Sequence, residues 1–254
     1  MSDCELTLIV PVFNEGKNFP ALWEGITRQI RSKIKVLVVY DFDEDDTVPV
    51  VQRTINGGET SLHLVKNDIR RGVVGAILAG LRVVKSGPVM VVMADLCDDL
   101  SQVDQMLTLY RQGYDVVAGS RYMSGGKIIN GPFLKQGLSR LAGLTLHWFR
   151  RIPTRDATNA FKLYDRDMLQ SFTIESQAGF ELNLELTVKA FLGGYHITEI
   201  PTMWKERSAG ESRFRLWAWL PKYLKWYLYA FRPRRKSSHG ARLERGSERG
   251  RLST

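Results

Sequence analysis

The chain has 254 residues, of which 44% are hydrophobic and 25% charged. That composition is typical of a globular protein and excludes a collagen-like, wholly disordered or membrane-bundle architecture. Its two cysteines form no CxxC motif, so we expect a reducing, cytoplasmic compartment and no disulfide framework. The net charge of +9 is concentrated in residues 232–254, and the body shows no broad basic face, so we expect no nucleic-acid partner.

Short β-branched runs alternate with helical spacing over the first 120 residues. Strands are predicted at residues 6–10, 35–39, 62–65, 89–93 and 116–118, and helices at 18–31, 46–55, 72–84 and 101–111, with Ser101 as the N-cap of the last. This order predicts an α/β fold with a doubly wound, mostly parallel sheet flanked by helices. Ligands of such sheets bind at the carboxyl ends of the strands. The chemistry is therefore expected after strands one, two and four.

The second half of the chain is less regular. Helices are predicted at residues 133–149 and 180–192, a strand at 195–200, and a last helix that Pro221 opens and that ends near residue 231. We expect no signal peptide, because the first residues are acidic and the apolar run behind them is short. No stretch approaches the ~20 apolar residues of a spanning helix. Any membrane attachment is therefore expected to be peripheral.

The fourth strand ends in three closely spaced carboxylates, Asp95, Asp98 and Asp99. Carboxylates so close together repel one another unless a cation neutralises them. Oxygen ligands suit Mg²⁺ or Mn²⁺ beside a diphosphate, which predicts a metal at Asp95 and Asp98. The alternative for Asp98 and Asp99 is an acidic turn that caps the next helix.

Two further motifs point to a nucleotide. Asp41 ends the second strand, where a carboxylate accepts hydrogen bonds from a base or a ribose, whereas Glu44 and Asp45 fit a solvated acidic loop. Gly75 lies in the first turn of the third helix, where a glycine permits close backbone approach and the helix N-terminus favours an anion. The dinucleotide fingerprint GxGxxG is absent after strand one, which argues against an NAD enzyme.

Basic groups follow the fifth strand. Arg121 lies directly behind it, and Lys135 and Ser139 lie one turn apart on the next predicted helix. A guanidinium, an ammonium and a hydroxyl so placed are suited to a phosphate group. Farther on, Arg207 and Arg213 flank Gly210 in a cationic loop, for which a solvated turn is the alternative.

The predicted C-terminal helix has two chemically different sides. In helical projection Lys222 and Lys225 share a narrow face bordered by Trp226 and Tyr229, and the opposite side is apolar (Leu220, Leu224, Tyr227, Leu228 and Phe231). Aromatic residues beside lysines suit the headgroup region of a membrane, and the basic tail favours anionic lipid. The alternative is a terminal helix that packs on the core.

These motifs together resemble those of the family 2 glycosyltransferases, which have the GT-A fold. The residues that carry the resemblance are 11–15 (PVFNE), Asp41, the Ala94-Asp95 strand end and 119–122 (GSRY). The stretches 156–162 and 199–213 are similar to the subgroup that uses polyprenyl-phosphate acceptors, of which dolichyl-phosphate mannose synthase is the best-known member. The resemblance covers about residues 5 to 215.

The resemblance implies a role for each matching residue. The nucleoside would be held by Pro11, Phe13, Glu15 and Asp41, and the metal and diphosphate by Ala94 and Asp95. The acceptor phosphate would be bound by Arg121, Lys135 and Ser139. The donor would be covered by Arg207 and Arg213. Three positions depart from the family pattern, the first being Tyr40, which stands where an aspartate is usual in strand two. Met93 replaces the first acid of the Asp-x-Asp motif, with Asp98 as a possible substitute, and Lys135 replaces a more common arginine.

The resemblance also implies an activity. It is inverting transfer of a mannose-like hexose from a GDP- or UDP-linked sugar to a polyprenyl or dolichyl phosphate at the cytoplasmic face of a membrane. A hydroxyl acceptor, with Asp98, Asp99 or Glu185 as general base, and a non-catalytic nucleotide-sugar binding protein are the alternatives. We expect a catalytic domain over residues 1–214, a membrane-surface helix over 215–231 and a disordered basic tail over 232–254.

Overall fold

A computed structural model describes residues 6–131, 133–177, 179–206 and 216–234, with side chains except at 133–135 and 216–219. The strands are β1 (Leu6–Pro11), β2 (Ile34–Tyr40), β3 (Leu62–Lys66), β4 (Pro88–Val91), β5 (Val116–Ser120), β6 (Lys127–Ile129), β7 (Lys162–Asp165), β8 (Ile197–Pro201) and β9 (Met203–Lys205). The helices are α1 (Phe19–Gln29), α2 (Thr47–Asn56), α3 (Val73–Val83), α4 (Val103–Arg111), α5 (Phe133–Arg150), α6 (Arg166–Gln170), α7 (Glu181–Leu192) and α8 (Leu216–Tyr229).

Seven strands form one sheet in the order β3-β2-β1-β4-β7-β5-β8. All neighbours are parallel except β7, which runs antiparallel between β4 and β5. The predicted doubly wound, mostly parallel α/β fold is confirmed. A second sheet pairs β6 with β9.

Each face of the large sheet carries its own hydrophobic core. Leu6, Leu8 and Val10 of β1 face the core that α1, α2 and α4 cover, whereas Ile9 faces the core formed with α3, α7 and α8. Because β1 is buried on both faces, its sequence is a continuous apolar run, as parallel strands require.

Several local predictions differ from the structure, and β6, β7, β9 and α6 were not predicted. Ser101 is not an N-cap: Asp99 caps a 3-10 turn at Leu100–Gln102 by accepting from the Ser101 amide at 3.2 Å, and α4 begins at Val103. Pro221 does not open the last helix, which begins at Leu216. A proline lacks the N–H donor and its ring crowds the carbonyl four residues earlier, a cost that is smallest close to a helix N-terminus, where Pro221 lies. Strand β7 was missed because polar residues stand at both of its ends.

Candidate active site

The loops that follow β1 and β2 are hydrogen-bonded to each other. The amides of Asn14 and Gly16 donate to the carboxylates of Asp45 (3.0 Å) and Asp46 (2.8 Å), and the Glu15 amide donates to Thr47 Oγ1 (2.9 Å). Asp45 is fully buried, so the predicted solvated loop is wrong for this residue. Its carboxylate holds the two loops in one arrangement.

The predicted nucleoside residues lie at this edge of the sheet. Phe13 is 43% exposed, and its ring meets that of Phe42 edge to face with centroids 5.4 Å apart. Asp41 accepts from the Asn67 side chain at 2.6 Å and from the Gly72 amide at 2.7 Å, which ties the end of β2 to the start of α3. Pro11 is buried as the last residue of β1, and Glu15 accepts from Asn18 at 2.7 Å.

Gly75 is required by the chain's own backbone. A Cβ on this residue would lie 1.7 Å from the carbonyl oxygen of Arg70, so only glycine lets the loop before α3 fold back onto the first helical turn. This close approach is to the chain's own backbone. The anion contact that the sequence predicts for Gly75 stays a prediction.

The acidic centre is built by a tight turn after β4. Leu96 adopts a positive φ of 60°, and the Cys97 amide donates to Asp95 Oδ1 at 3.2 Å. Asp95 and Asp98 line one cleft of about 490 Å³, and Ala94 is buried behind them. Asp99 instead binds the hydroxyl and amide of Ser101. The sequence left the roles of Asp98 and Asp99 open. In the structure Asp98 lines the cleft, whereas Asp99 caps a turn.

Burial and the neighbouring Asp95 raise the pKa of Asp98 to about 7, against the opposing effect of Arg121. Within the part of the chain that the structure describes, no cluster of three or more metal-ligating side chains occurs. Two carboxylates facing a cleft still fit Mg²⁺ or Mn²⁺, because these ions are commonly held by one or two carboxylates together with substrate phosphates.

Arg121 is held in a fixed orientation by Asp156. Its Nε and Nη2 donate to the two carboxylate oxygens at 2.7 and 2.9 Å, and its backbone amide donates to Oδ2 at 3.1 Å. The Asp156 side chain is fully buried, and that of Arg121 is 15% exposed at the cleft. Nη1 makes no hydrogen bond to the described residues. The pair therefore presents an oriented guanidinium to the cleft.

Ser139 of α5 lies beside this group, and its role as a phosphate ligand stays a prediction. Its hydroxyl lies 3.3 Å from Arg121 Nη2 and 2.6 Å from Thr158 Oγ1. Lys135 lies one turn earlier on the same helix, but its side chain is outside the described residues, as are Arg207, Gly210, Arg213 and the tail from residue 235. The resemblance included residues 156–162 but implied no role in the site for Asp156 or Thr158.

The cleft continues as an apolar groove between α5 and α8. Leu138, Leu141 and Ala142 line it from α5, and Leu220, Tyr223, Leu224 and Tyr227 line it from α8. The two helices meet where Tyr227 Oη donates to Thr145 Oγ1 at 3.0 Å. One continuous cavity thus connects two carboxylates, a guanidinium and a hydrophobic channel.

Helix α8 attaches to the body by its aromatic side. Trp226 is 1% exposed and Ala230 fully buried, and Lys225 lies 3.0 Å from Glu175 and 4.5 Å from the Trp226 ring centroid. The opposite side is exposed, at 40% for Leu220, 50% for Leu224, 60% for Leu228 and 47% for Phe231. Core packing therefore holds for Trp226, while the three leucines are exposed, Leu220 and Leu224 at the mouth of the groove. Of the described residues, no helix is long and apolar enough to cross a membrane.

A family model described as Glycosyl transferase family 2 matches residues 7–173. The chain belongs to glycosyl transferase family 2. The predicted membership is confirmed, and the protein is a glycosyltransferase by family. The match spans β1 to the end of α6 and so includes Asp41, Asp95, Arg121 and Asp156.

The names of three similar proteins refer to polyprenol, dolichol phosphate and undecaprenyl phosphate. The chain is 26% identical to a polyprenol monophosphomannose synthase of Mycolicibacterium smegmatis (81% of this chain, 79% of that one) and 29% identical to an undecaprenyl-phosphate mannosyltransferase of Micrococcus luteus (81% and 85%). A dolichol-phosphate mannosyltransferase of Pyrococcus furiosus is 25% identical, and the alignment covers 83% of this chain and 59% of that protein.

Solved structures share the fold. The glucosyl-3-phosphoglycerate synthase of Mycobacterium tuberculosis in complex with UDP superposes with a TM-score of 0.64 at 16% identity, over 89% of this chain and 79% of that one. The TarS 1–349 structure of S. aureus has a TM-score of 0.57 at 18% identity, over 79% and 60%. At these identities the likeness establishes the GT-A architecture alone.

Proposed function

We propose that this glycosyltransferase transfers a mannose-like hexose from a nucleoside diphosphate sugar, GDP- or UDP-linked, to the phosphate of a polyprenyl phosphate, with inversion. The observation that carries the proposal is the continuous cleft. It places an acidic centre, an oriented guanidinium and an apolar groove in series. A polyprenyl phosphate has the matching chemistry, with an anionic head and a hydrocarbon tail. The names of the three similar mannosyltransferases support the same acceptor class.

The donor's nucleoside is proposed to lie near Phe13 and Asp41, with its diphosphate toward Asp95. A phosphate oxygen of the acceptor then attacks the anomeric carbon opposite the departing nucleoside diphosphate, and this single displacement inverts the configuration. Arg121 and Ser139 orient the attacking phosphate. Because that phosphate is already ionised, the step needs no general base. Lys135, Arg207 and Arg213 stay predicted ligands of the substrates' phosphates.

Asp95 and Asp98 are the residues that would hold Mg²⁺ or Mn²⁺. The pKa of Asp98 is raised first by burial and then by the neighbouring Asp95 carboxylate, and a cation between the two would relieve their repulsion. When bound, such an ion offsets negative charge on the leaving diphosphate. Asp98 thereby takes the place of the acid that is absent at Met93.

A hydroxyl acceptor is less compatible with these residues, because it would require a general base. Asp99 is engaged as a cap, and Glu185 is fully buried, where it accepts from the Glu175 amide at 2.6 Å and pairs with Lys189 at 2.7 Å. Of the three carboxylates considered, only Asp98 lines the cleft. It is already assigned to the metal.

The acceptor prediction is tested by comparing a polyprenyl phosphate with the matched polyprenol. With GDP- and UDP-hexoses as donors and excess Mn²⁺, we expect release of nucleoside diphosphate with the phosphate and at least about a hundredfold less with the alcohol, the loss expected for charge-assisted contacts worth roughly 3 kcal/mol. Equal use of the alcohol would contradict the proposed acceptor. Absence of turnover with every donor would favour a non-catalytic binding protein.

We also propose that α8 and the end of α5 rest on a membrane surface. Trp148 and Phe149 of α5 are 66% and 71% exposed. Arg150 donates to the carbonyls of Ala230 (2.7 Å) and Arg232 (2.8 Å), which brings the C-terminal ends of the two helices together. The exposed leucines of α8 continue this apolar surface toward the groove. A lipid-linked acceptor could then enter the cleft from the bilayer.

Liposome flotation tests this surface. The double variant Leu224→Glu/Leu228→Glu should lose most binding to anionic vesicles. Each substitution removes an apolar side chain that would insert into the membrane surface, and the new glutamate repels anionic lipid. The control Gln52→Glu/Gln105→Glu makes the same charge change at exposed positions of α2 and α4 and should float like the wild type. Equal flotation of the two double variants would contradict the proposed membrane-binding surface. If high salt leaves the binding of the wild type unchanged, electrostatic attraction to anionic lipid does not contribute to it.

A further inference from the structure

A buried lysine lies directly behind the acceptor side of the cleft. Lys162, the first residue of β7, is fully buried and does not line the cavity. Its ammonium donates to two backbone carbonyls, those of Ala157 (3.0 Å) and Asn159. Within the described part of the chain, no carboxylate lies within ion-pair distance of its Nζ.

Both carbonyls belong to the loop of residues 156–159, which holds the acceptor-side groups. Asp156 at one end of this loop orients Arg121, and Thr158 in its middle lies 2.6 Å from the Ser139 hydroxyl. The Asn159 side chain donates to the carbonyl of Gly119 in β5 at 2.8 Å. Lys162 therefore binds the backbone on both sides of Thr158, and Asn159 anchors the end of the loop to the sheet.

Burying a lysine is costly, so its position calls for a physical reason. Burial lowers the pKa of Lys162 to about 7, Asp156 acts in the opposite direction and Arg121 lowers the pKa further. A neutral amine still has two N–H donors, as many as there are carbonyls to satisfy. The contact with the loop therefore does not depend on the charge of the lysine. A leucine or methionine would fill the same space, but it would leave both carbonyls without this donor.

We propose that Lys162 is a positioning residue for the acceptor phosphate: by holding the carbonyls of Ala157 and Asn159, it fixes Asp156 and Thr158 and, through them, Arg121 and Ser139. This inference rests on the proposed function. Lys162 does not line the cleft, so it would act only through the loop. Its loss should impair use of the acceptor far more than use of the donor.

The test is the steady-state kinetics of Lys162→Met, which keeps the length of the side chain and removes the donors. We expect the acceptor KM to rise about tenfold, the effect of roughly 1.4 kcal/mol, while the donor KM stays within about twofold. Lys162→Leu, which also lacks donors, is measured in parallel in case the methionine variant does not fold. Folding of each variant is checked by its Tm.

The matched control is Leu163→Ala on the same strand. Leu163 is fully buried in the core on the other face of the sheet, so its truncation lowers stability without touching the loop. We expect a lower Tm with an unchanged acceptor KM. An unchanged acceptor KM in the folded lysine variants, or an equal rise in Leu163→Ala, overturns this inference alone. A wild-type protein that glycosylates no prenyl phosphate overturns the proposed function and this inference with it.

Discussion

Replacing Asp95 by asparagine is expected to lower kcat about a thousandfold, because a cation beside a leaving diphosphate contributes several kcal/mol to the barrier. The side chain lies in the tight turn after β4, where it accepts from the Cys97 amide, and lines the cleft together with Asp98. Asparagine keeps the size of the side chain and a carbonyl oxygen that can accept from the Cys97 amide. The turn should therefore persist, and Tm should change little.

Asp99→Asn is the control for this prediction. It makes the same chemical change four residues away, at a side chain that caps the turn before α4. Asparagine is as good an N-cap as aspartate, so both Tm and kcat should stay close to the wild-type values. Asp98→Asn should resemble Asp95→Asn, and a chelator should inactivate the wild type. Full turnover in excess chelator would remove the metal from the proposal.

Removing Arg121 should reduce kcat/KM for the acceptor about a hundredfold, since hydrogen bonds between charged groups are worth roughly 1.5–3 kcal/mol each. Donor binding should remain close to wild type. The single variant is hard to interpret, however, because Asp156 is fully buried. Without its partner, that carboxylate would be an uncompensated buried charge, which costs about 3–5 kcal/mol of folding stability.

The double variant Arg121→Met/Asp156→Asn separates the two effects. It removes both charges of the pair, and the asparagine oxygen can still accept from the backbone amide of residue 121. We expect Tm to recover toward the wild-type value while acceptor use stays low. The control Arg155→Met/Glu199→Gln removes the neighbouring ion pair, in which Arg155 binds Glu199. Recovery of acceptor use in the first double variant would show that Arg121 serves folding and not the phosphate.

Local patterns were sufficient for the fold class because the signals are strong and repeated. Strands β1 and β2 are apolar runs, and α1 and α4 have helical spacing, so alternation and handedness predict the parallel sheet. Strand β7 lacked such a signal. Lys162 and Asp165 stand at its ends. The buried lysine donates to carbonyls of the loop just before it, and the buried aspartate accepts from the Met168 amide at 2.9 Å and, across the fold, from Tyr110 Oη at 2.8 Å.

The candidate site likewise has features that local sequence predicts and features that only the tertiary structure reveals. The sequence by itself determined that carboxylates follow strands one, two and four and that basic groups follow strand five, because strand ends are local features. Only the tertiary structure decided that Asp98 lines the cleft while Asp99 caps a turn, and that Asp156, some 35 residues along the chain, orients Arg121. Burial and pairing depend on which distant segments come together, and local periodicity carries no information about that.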